Sequence, residues 1–272
     1  MTRAPATAKL NLALVVGPAA EDGRHELTTI LQRLALGDRV EVEPATKLSV
    51  DGFPGDTLVR EALLALAAEA GVAPRWRARI DKRIPVAAGL GGGSSDAATA
   101  LRLANATLEV PLGSERLHDV ARTLGADVPF FLTNGPQLGR RDGTELSPLE
   151  LPQDYFVVLV LPSGAHKPST ASVYRSFDER DGAEDYEQRR AMVLDVLTRV
   201  RRPRDLAALP PNDLASSPIS EQLRDLGAIR ADVTGAGPVV YGLFQHRAAA
   251  TAARRAMRAH GRTWVTTPAW YG

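Results

Sequence analysis

Three features of this chain have the residue types and spacing to act on a phosphate: a glycine-rich run, a lysine at Lys9 and an acid at Asp127. The run is Gly89-Leu90-Gly91-Gly92-Gly93-Ser94-Ser95-Asp96, and four of its first five positions lack a Cβ, as suits a backbone that bends sharply or touches a ligand. Ala97 to Ala104 behind it is rich in helix formers, and Ser94 or Ser95 is placed to cap the first turn. Ahead of it, Ala78 to Arg83 reads as a strand edge that Pro85 stops. Strand, loop and helix N-terminus together make an anion site, because free N–H groups and the positive end of the helix dipole point the same way. A dinucleotide fingerprint would need glycine where Ser94 stands, and a Walker loop would need Gly-Lys-Ser/Thr, so neither fits. The plain alternative is a turn that binds nothing; the adjoining serines and helix start weigh against it.

Lys9 and Asn11 stand at i and i+2 in Ala8-Lys9-Leu10-Asn11-Leu12-Ala13-Leu14, a strand with leucines on one face and a polar other face. An ammonium beside an amide can pair with phosphates and a hydroxyl, although an ordinary exposed strand face would look the same. Asp127 lies between the helix stop at Gly125 and the apolar Val128-Pro129-Phe130-Phe131, read as a strand, so its neighbours shelter it. A sheltered carboxylate is paired or functional, unless it serves only as a turn residue.

The elements that must position these groups follow from patterning. Asp38 to Pro44 and Thr46 to Val50 alternate as strands, Thr57 to Ala70 is a helix begun by Asp56 or Thr57, and Ser114 to Leu124 is another. Pro148 and Pro152 mark a boundary, giving domains 1–150 and 151–272, the second opening on the strand Tyr155 to Leu161. A charged helix at Glu184 to Val200, a glycine turn at Thr234-Gly235-Ala236-Gly237-Pro238, a helix at Arg247 to Ala259 and a strand at Thr263 to Thr267 complete it. Arg199 to Arg204 reads as a solvated face.

Composition narrows the function classes. With 44% hydrophobic and 24% charged residues the chain is globular, and a net charge of +1 does not suit a nucleic-acid or membrane surface as main partner. Without cysteine it has no disulfide, thiolate metal site or cysteine nucleophile, which is compatible with a cytoplasmic location. Its longest apolar run, Tyr155 to Leu161, falls far short of the ~20 residues of a membrane helix.

Pro85-Val86-Ala87-Ala88-Gly89-Leu90-Gly91-Gly92-Gly93-Ser94-Ser95-Asp96-Ala97-Ala98 resembles the ATP-binding motif of the GHMP kinases. Further motifs follow in family order: Ala-Lys-Leu-Asn-Leu around Lys9, Leu-Gly-Ala-Asp-Val-Pro-Phe-Phe around Asp127, the segment from Thr170 to Tyr174, and the turn at 234–238. The resemblance implies an α+β, two-domain GHMP kinase fold with a ribosomal-S5-like N-terminal domain and a ferredoxin-like C-terminal domain. It implies ATP with Mg²⁺, Lys9 and Asp127 as catalytic residues, and residues 85–95 on the nucleotide, with Ser94 or Ser95 toward the cation. Asn11, Arg24, His25, Asp127, Thr170 and Tyr174 would meet a cytidine diphosphate alcohol of the non-mevalonate isoprenoid route. Gly235, Ala236 and Gly237 would be structural near the site, and a monomer or homodimer is expected. Asn212-Asp213-Leu214 resembles a structural motif of the family. Four departures stand out: Arg24 replaces an aromatic residue, Thr57 an asparagine, Arg141-Asp142-Gly143 a Gly-x-Gly, and Ala236 a hydroxyl residue. A guanidinium plane can stack on a base, so Arg24 can keep the aromatic's role. Rival readings are a kinase for homoserine, mevalonate or a sugar, a silent binding protein of the same fold, and a nucleic-acid module.

Overall fold

A computed structural model describes residues 2–21, 23–53, 58–165 and 169–271. The expected helix start at Asp56 or Thr57 lies outside the described residues.

The first half is built on one long hairpin. β1 (Thr2–Ala19) pairs antiparallel with β2 (His25–Pro44), with an irregularity between Asn11 and Ala13 that leaves Leu12 unmatched. Such a bulge re-aims neighbouring side chains. β2 is long enough to take β1 along one edge and two further strands on the other. β4 (Trp76–Asp81) pairs with Arg39 to Pro44, and β5 (Gln137–Arg141) with Leu27 to Leu31. β3 (Ser49–Asp51) joins β4 in parallel and β6 (Glu145–Pro148) joins β5, giving the order β3-β4-β2-β5-β6 with β1 on β2. The strand read as an edge is therefore internal. Helices α1 (Leu58–Ala70), α2 (Gly92–Asn105) and α3 (Ser114–Leu124) contribute to the same core. On α1 the buried Val59, Leu63 and Leu66 recur at helical spacing, and on α2 Ala97, Leu101 and Ala104 do.

The second half holds β7 (Phe156–Pro162), β8 (Arg230–Val233), β9 (Val240–Phe244) and β10 (Gly261–Thr266) in the order β10-β7-β9-β8, all antiparallel. With them are α4 (Thr170–Asp178), α5 (Tyr186–Arg199), α6 (Pro218–Asp225) and α7 (Arg247–Ala256). Alternation along β7 sends Val158 and Val160 into one core with α6 and α7, and Val157 and Leu159 into another. That second core also contains Leu10, Leu12 and Val15 of β1, so apolar packing is continuous between the sheets.

Two local expectations are corrected. Helix α2 is not capped by a serine: it starts at Gly92, its N-cap is Gly91 in left-handed geometry, and no side chain caps it. The segment after Asp127 is a 3-10 helix, Pro129–Leu132, and not a strand; Val128 is already helical, and proline's fixed φ suits the first helical turn.

Candidate active site

The glycine loop is held from both ends. Lys82, just past β4, donates to Asp38 Oδ2 at 2.6 Å and Asp96 Oδ2 at 2.7 Å. Asp38 Oδ1 accepts the backbone N–H groups of Arg83 (2.5 Å) and Ile84 (2.7 Å), so one buried carboxylate fixes the approach to the loop. Burial acts to lower the Lys82 pKa, but Asp96 and Asp38 outweigh it and raise it, keeping the ammonium charged. At the other end, Lys9 N–H donates to the Leu90 carbonyl at 2.9 Å. Gly89 packs on Gly237 so closely that a Cβ on either would lie within 2.9 Å of the other's Cα. Gly91, at φ 68°, turns the chain into α2 where a Cβ would meet Lys9 Cγ and Phe131 Cζ, each at 2.9 Å.

Lys9 and Asp127 meet across this loop. Lys9 Nζ lies 3.5 Å from Asp127 Oδ2 and donates to Asn11 Oδ1 at 2.9 Å. Asn11 is fixed in turn, its Nδ2 donating to Thr29 Oγ1 at 2.8 Å and its N–H to Thr234 Oγ1 at 3.1 Å. The polar face of β1 is thus buried. Asp127, read from its neighbours as sheltered, instead has a side chain 41% exposed, against 6% for Lys9. Its apolar neighbours turn inward without it. Phe130 and Phe131 are buried, with the Arg33 guanidinium 5.2 and 5.3 Å from their ring centroids. Arg33 also donates to the carbonyls of Phe130 and Thr133, anchoring the segment after Asp127 to β2. Burial, then the nearby Arg102, lowers the Arg33 pKa to about 10.

These groups border one cavity of about 600 Å³. Its lining takes in every residue from Pro85 to Ser94, with Lys9, Asn11, Lys82, Asp127, Asp142, Thr170, Tyr174, Gly235 and Ala236. Ser95 is 1% exposed and its Oγ has no hydrogen-bond partner, so of the two serines Ser94 is the one on the cavity. Burial, with the Asp127 carboxylate adding to it, pushes the Tyr174 hydroxyl up to about 12. His25 is buried against Tyr174, ring centroids 4.7 Å apart, and its Nε2 is 2.7 Å from Asp178 Oδ1. Neither His25, Ser95, Gly237 nor Arg24 is part of the lining. Gly237 supports the loop through Gly89, and Asn212 Nδ2 donates to the carbonyls of Val233 and Gly235, so that motif braces the second glycine turn. Arg24 pairs with Asp142. Burial works to raise the Asp142 pKa, yet hydrogen bonds from Thr144 and Arg24 hold it below the ordinary carboxylate value.

Lys82, Asp38 and Asp96 were not picked out from sequence. The available signals were that Lys82 is one of only four lysines and that Asp96 interrupts a run of small residues at a helix start.

A glycine loop without a Walker lysine, leading into a helix and facing an acid and an amine across a cleft, defines a small-molecule kinase of one class: the chain belongs to the GHMP kinase family. The family's "GHMP kinases N terminal domain" matches residues 57–135 and its "GHMP kinases C terminal" domain residues 215–263. Eight relatives at 35–40% identity, over 88–97% of this chain, carry the same name. The chain is 35% identical to the 4-diphosphocytidyl-2-C-methyl-D-erythritol kinase of Geobacter sulfurreducens over 95% of each chain. It is 40% identical to that of Anaeromyxobacter sp. strain K, over 93% of this chain and 84% of the relative. A crystal structure of 4-(cytidine 5'-diphospho)-2C-methyl-D-erythritol kinase superposes with a TM-score of 0.80 at 34% identity, covering 98% of this chain and 99% of that one. The Methanococcus jannaschii mevalonate kinase, at a TM-score of 0.75 and 12% identity, shares the fold.

Proposed function

We propose that the chain transfers the γ-phosphoryl group of ATP to the 2-hydroxyl of 4-diphosphocytidyl-2-C-methyl-D-erythritol, a step of the non-mevalonate isoprenoid route. The observation that carries the chemistry is the placement of Lys9 and Asp127, 3.5 Å apart, on the cavity that the glycine loop borders. The shared name of relatives at 35% and 40% identity over at least 93% of the chain supports the acceptor. Kinases for mevalonate, phosphomevalonate and homoserine, at 11–18% identity, support the fold and nothing about this acceptor.

In this reading the backbone from Gly89 to Ser94 cradles the triphosphate at the N-terminus of α2, where partial positive charge collects. The acceptor oxygen bonds to the γ-phosphorus as the bond to the β–γ bridging oxygen breaks, and ADP leaves. Asp127 orients the hydroxyl and takes up its proton, while Lys9 stabilises the carboxylate and the charge that develops on the transferred group. Phosphoryl transfer asks chiefly for positioning and charge neutralisation, which this rigid lysine supplies. Tyr174, Thr170 and Asn11, which line the cavity, would meet the acceptor, with His25 packed behind Tyr174. A Mg²⁺ ion fits the hard oxygen donors present: Ser94 and Asp127 would face it, and it would supply charge neutralisation on the phosphates. Among the described residues no group of three or more His, Cys, Asp or Glu side chains could hold a metal ion.

The separate sheets on either side of residue 150 support domains 1–150 and 151–272. No helix among the described residues is long and apolar enough to cross a membrane, and a cytoplasmic location is proposed. The test is incubation with Mg-ATP and the cytidine diphosphate alcohol, with mass detection of an acceptor heavier by one phosphate. Transfer to homoserine or mevalonate in its place would overturn the acceptor assignment.

A further inference from the structure

Two of the departures from the family pattern meet in space. Arg24 Nη1 donates to Asp142 Oδ2 at 2.5 Å, although 118 positions separate them in sequence. Arg24 closes the turn between β1 and β2, and Asp142 occupies the turn between β5 and β6. The second turn is well defined: Arg141 and Gly143 have φ of 57° and 91°, and Asp142 Oδ1 accepts from Thr144 N–H at 3.2 Å and Thr144 Oγ1 at 2.6 Å. Asp142 lines the cavity beside Gly143 in the company of Thr170 and Tyr174, whereas the Arg24 side chain is 66% exposed.

An ionised carboxylate on the wall of a cavity that admits phosphorylated molecules repels them unless a cation accompanies it, and at a site only 21% exposed that repulsion is felt over several ångströms. Lys9 and Lys82 are committed elsewhere, to Asp127 and Asn11 and to Asp38 and Asp96. We propose that Arg24 and Asp142 act as one specificity element at the acceptor mouth. Asp142 is the positioning residue, holding the guanidinium at the cavity's edge, and Arg24 cancels a charge that would otherwise turn away a nucleoside-diphosphate acceptor. The inference rests on the acceptor reading above and gives the two substitutions one joint explanation: a residue that brings a negative charge into the cavity wall is matched by one that brings the opposing charge.

The test uses the full chain with cytidine diphosphate as binding probe in calorimetry, alongside steady-state kinetics with the acceptor. Arg24→Ala is expected to weaken cytidine diphosphate binding and raise the acceptor KM about 10-fold at low ionic strength, and less at 0.5 M salt, where exposed charges are screened. Its kcat stays within about 3-fold and its KM for ATP is unchanged, a split that general loosening of the fold would not give. Arg24→Ala/Asp142→Asn is expected to recover most of the loss. Arg24→Gln serves in place of Arg24→Ala if the alanine variant fails to fold. The proposal is overturned if the Arg24 variants bind cytidine diphosphate like the parent, or if the double variant is no better than Arg24→Ala. A parent protein that neither binds cytidine diphosphate nor phosphorylates the acceptor overturns the acceptor reading and this inference with it, so the two failures are told apart by the parent alone.

Discussion

Replacing Gly237 by alanine tests whether the phosphate loop depends on a backbone seam with the second half. An added Cβ would sit 2.5 Å from Gly89 Cα, 2.6 Å from Ala88 O and 2.6 Å from Gly89 N, all main-chain atoms that cannot rotate aside. Ordinary contact begins near 3.4 Å, so the loops must part by close to 1 Å. Gly237 is not among the positive-φ glycines, so the effect is steric and free of any left-handed backbone penalty. A displacement of about 1 Å at a phosphate cradle is expected to cost about 10²-fold in kcat/KM. Overpacking of this kind destabilises by about 1–3 kcal/mol, seen as a fall in Tm. Gly113→Ala is the control, since no heavy atom lies within 4 Å of its added Cβ. Steady-state kinetics and calorimetry on both variants decide the matter: a Gly237→Ala enzyme with the parent's kcat/KM and Tm would refute the seam.

Asp127→Asn keeps the shape and removes the charge, so turnover should fall by about 10²–10⁴-fold with nucleotide affinity within a few-fold of the parent; retained turnover would remove Asp127 from the chemistry. Asp38→Asn weakens a buried ion pair and the anchoring of Arg83 and Ile84, for an expected loss of about 3 kcal/mol in urea unfolding. Alkali should destabilise the fold. Burial raises Tyr174 and Tyr241 to about 12, and Lys82 is raised by its acids, against unfolded values of about 10 to 10.4. The folded chain then keeps protons that the unfolded chain releases, so their contribution is complete below pH ~10 and declines as pH climbs toward 12. A Tm that holds level between pH 9 and 11 would contradict this, and Tyr174→Phe should flatten the decline.

The residues that do chemistry were easier to read than the residues that hold them. Glycine density exposed the loop, and period-2 spacing put Lys9 and Asn11 on one face, because both signals are local. The supports are not local: Asp38 reaches Lys82 and the loop across 44 to 46 positions, and Arg24 reaches Asp142 across 118. Strand patterning alone gives no register for such pairs. The misplaced cap has a local cause. Two serines at a helix start look like caps, but a left-handed Gly91 lets the helix begin two residues before Ser94, so both serines fall inside it. Similarly, Val128-Pro129-Phe130-Phe131 has strand composition, and the short helix there is held by burial of both rings and the Arg33 clamp.

Leu10, Leu12 and Val15 belong to the first sheet as residues of β1 and to the core beneath the second by packing. A cut at residue 150 would therefore take away apolar cover that the second sheet needs, and neither piece would be an independent cassette. Chimaeras between relatives should succeed when β1 travels with residues 151–272, and fail when the chain is spliced only at the linker. Inheritance of the acceptor pocket is thereby tied to inheritance of the opening strand.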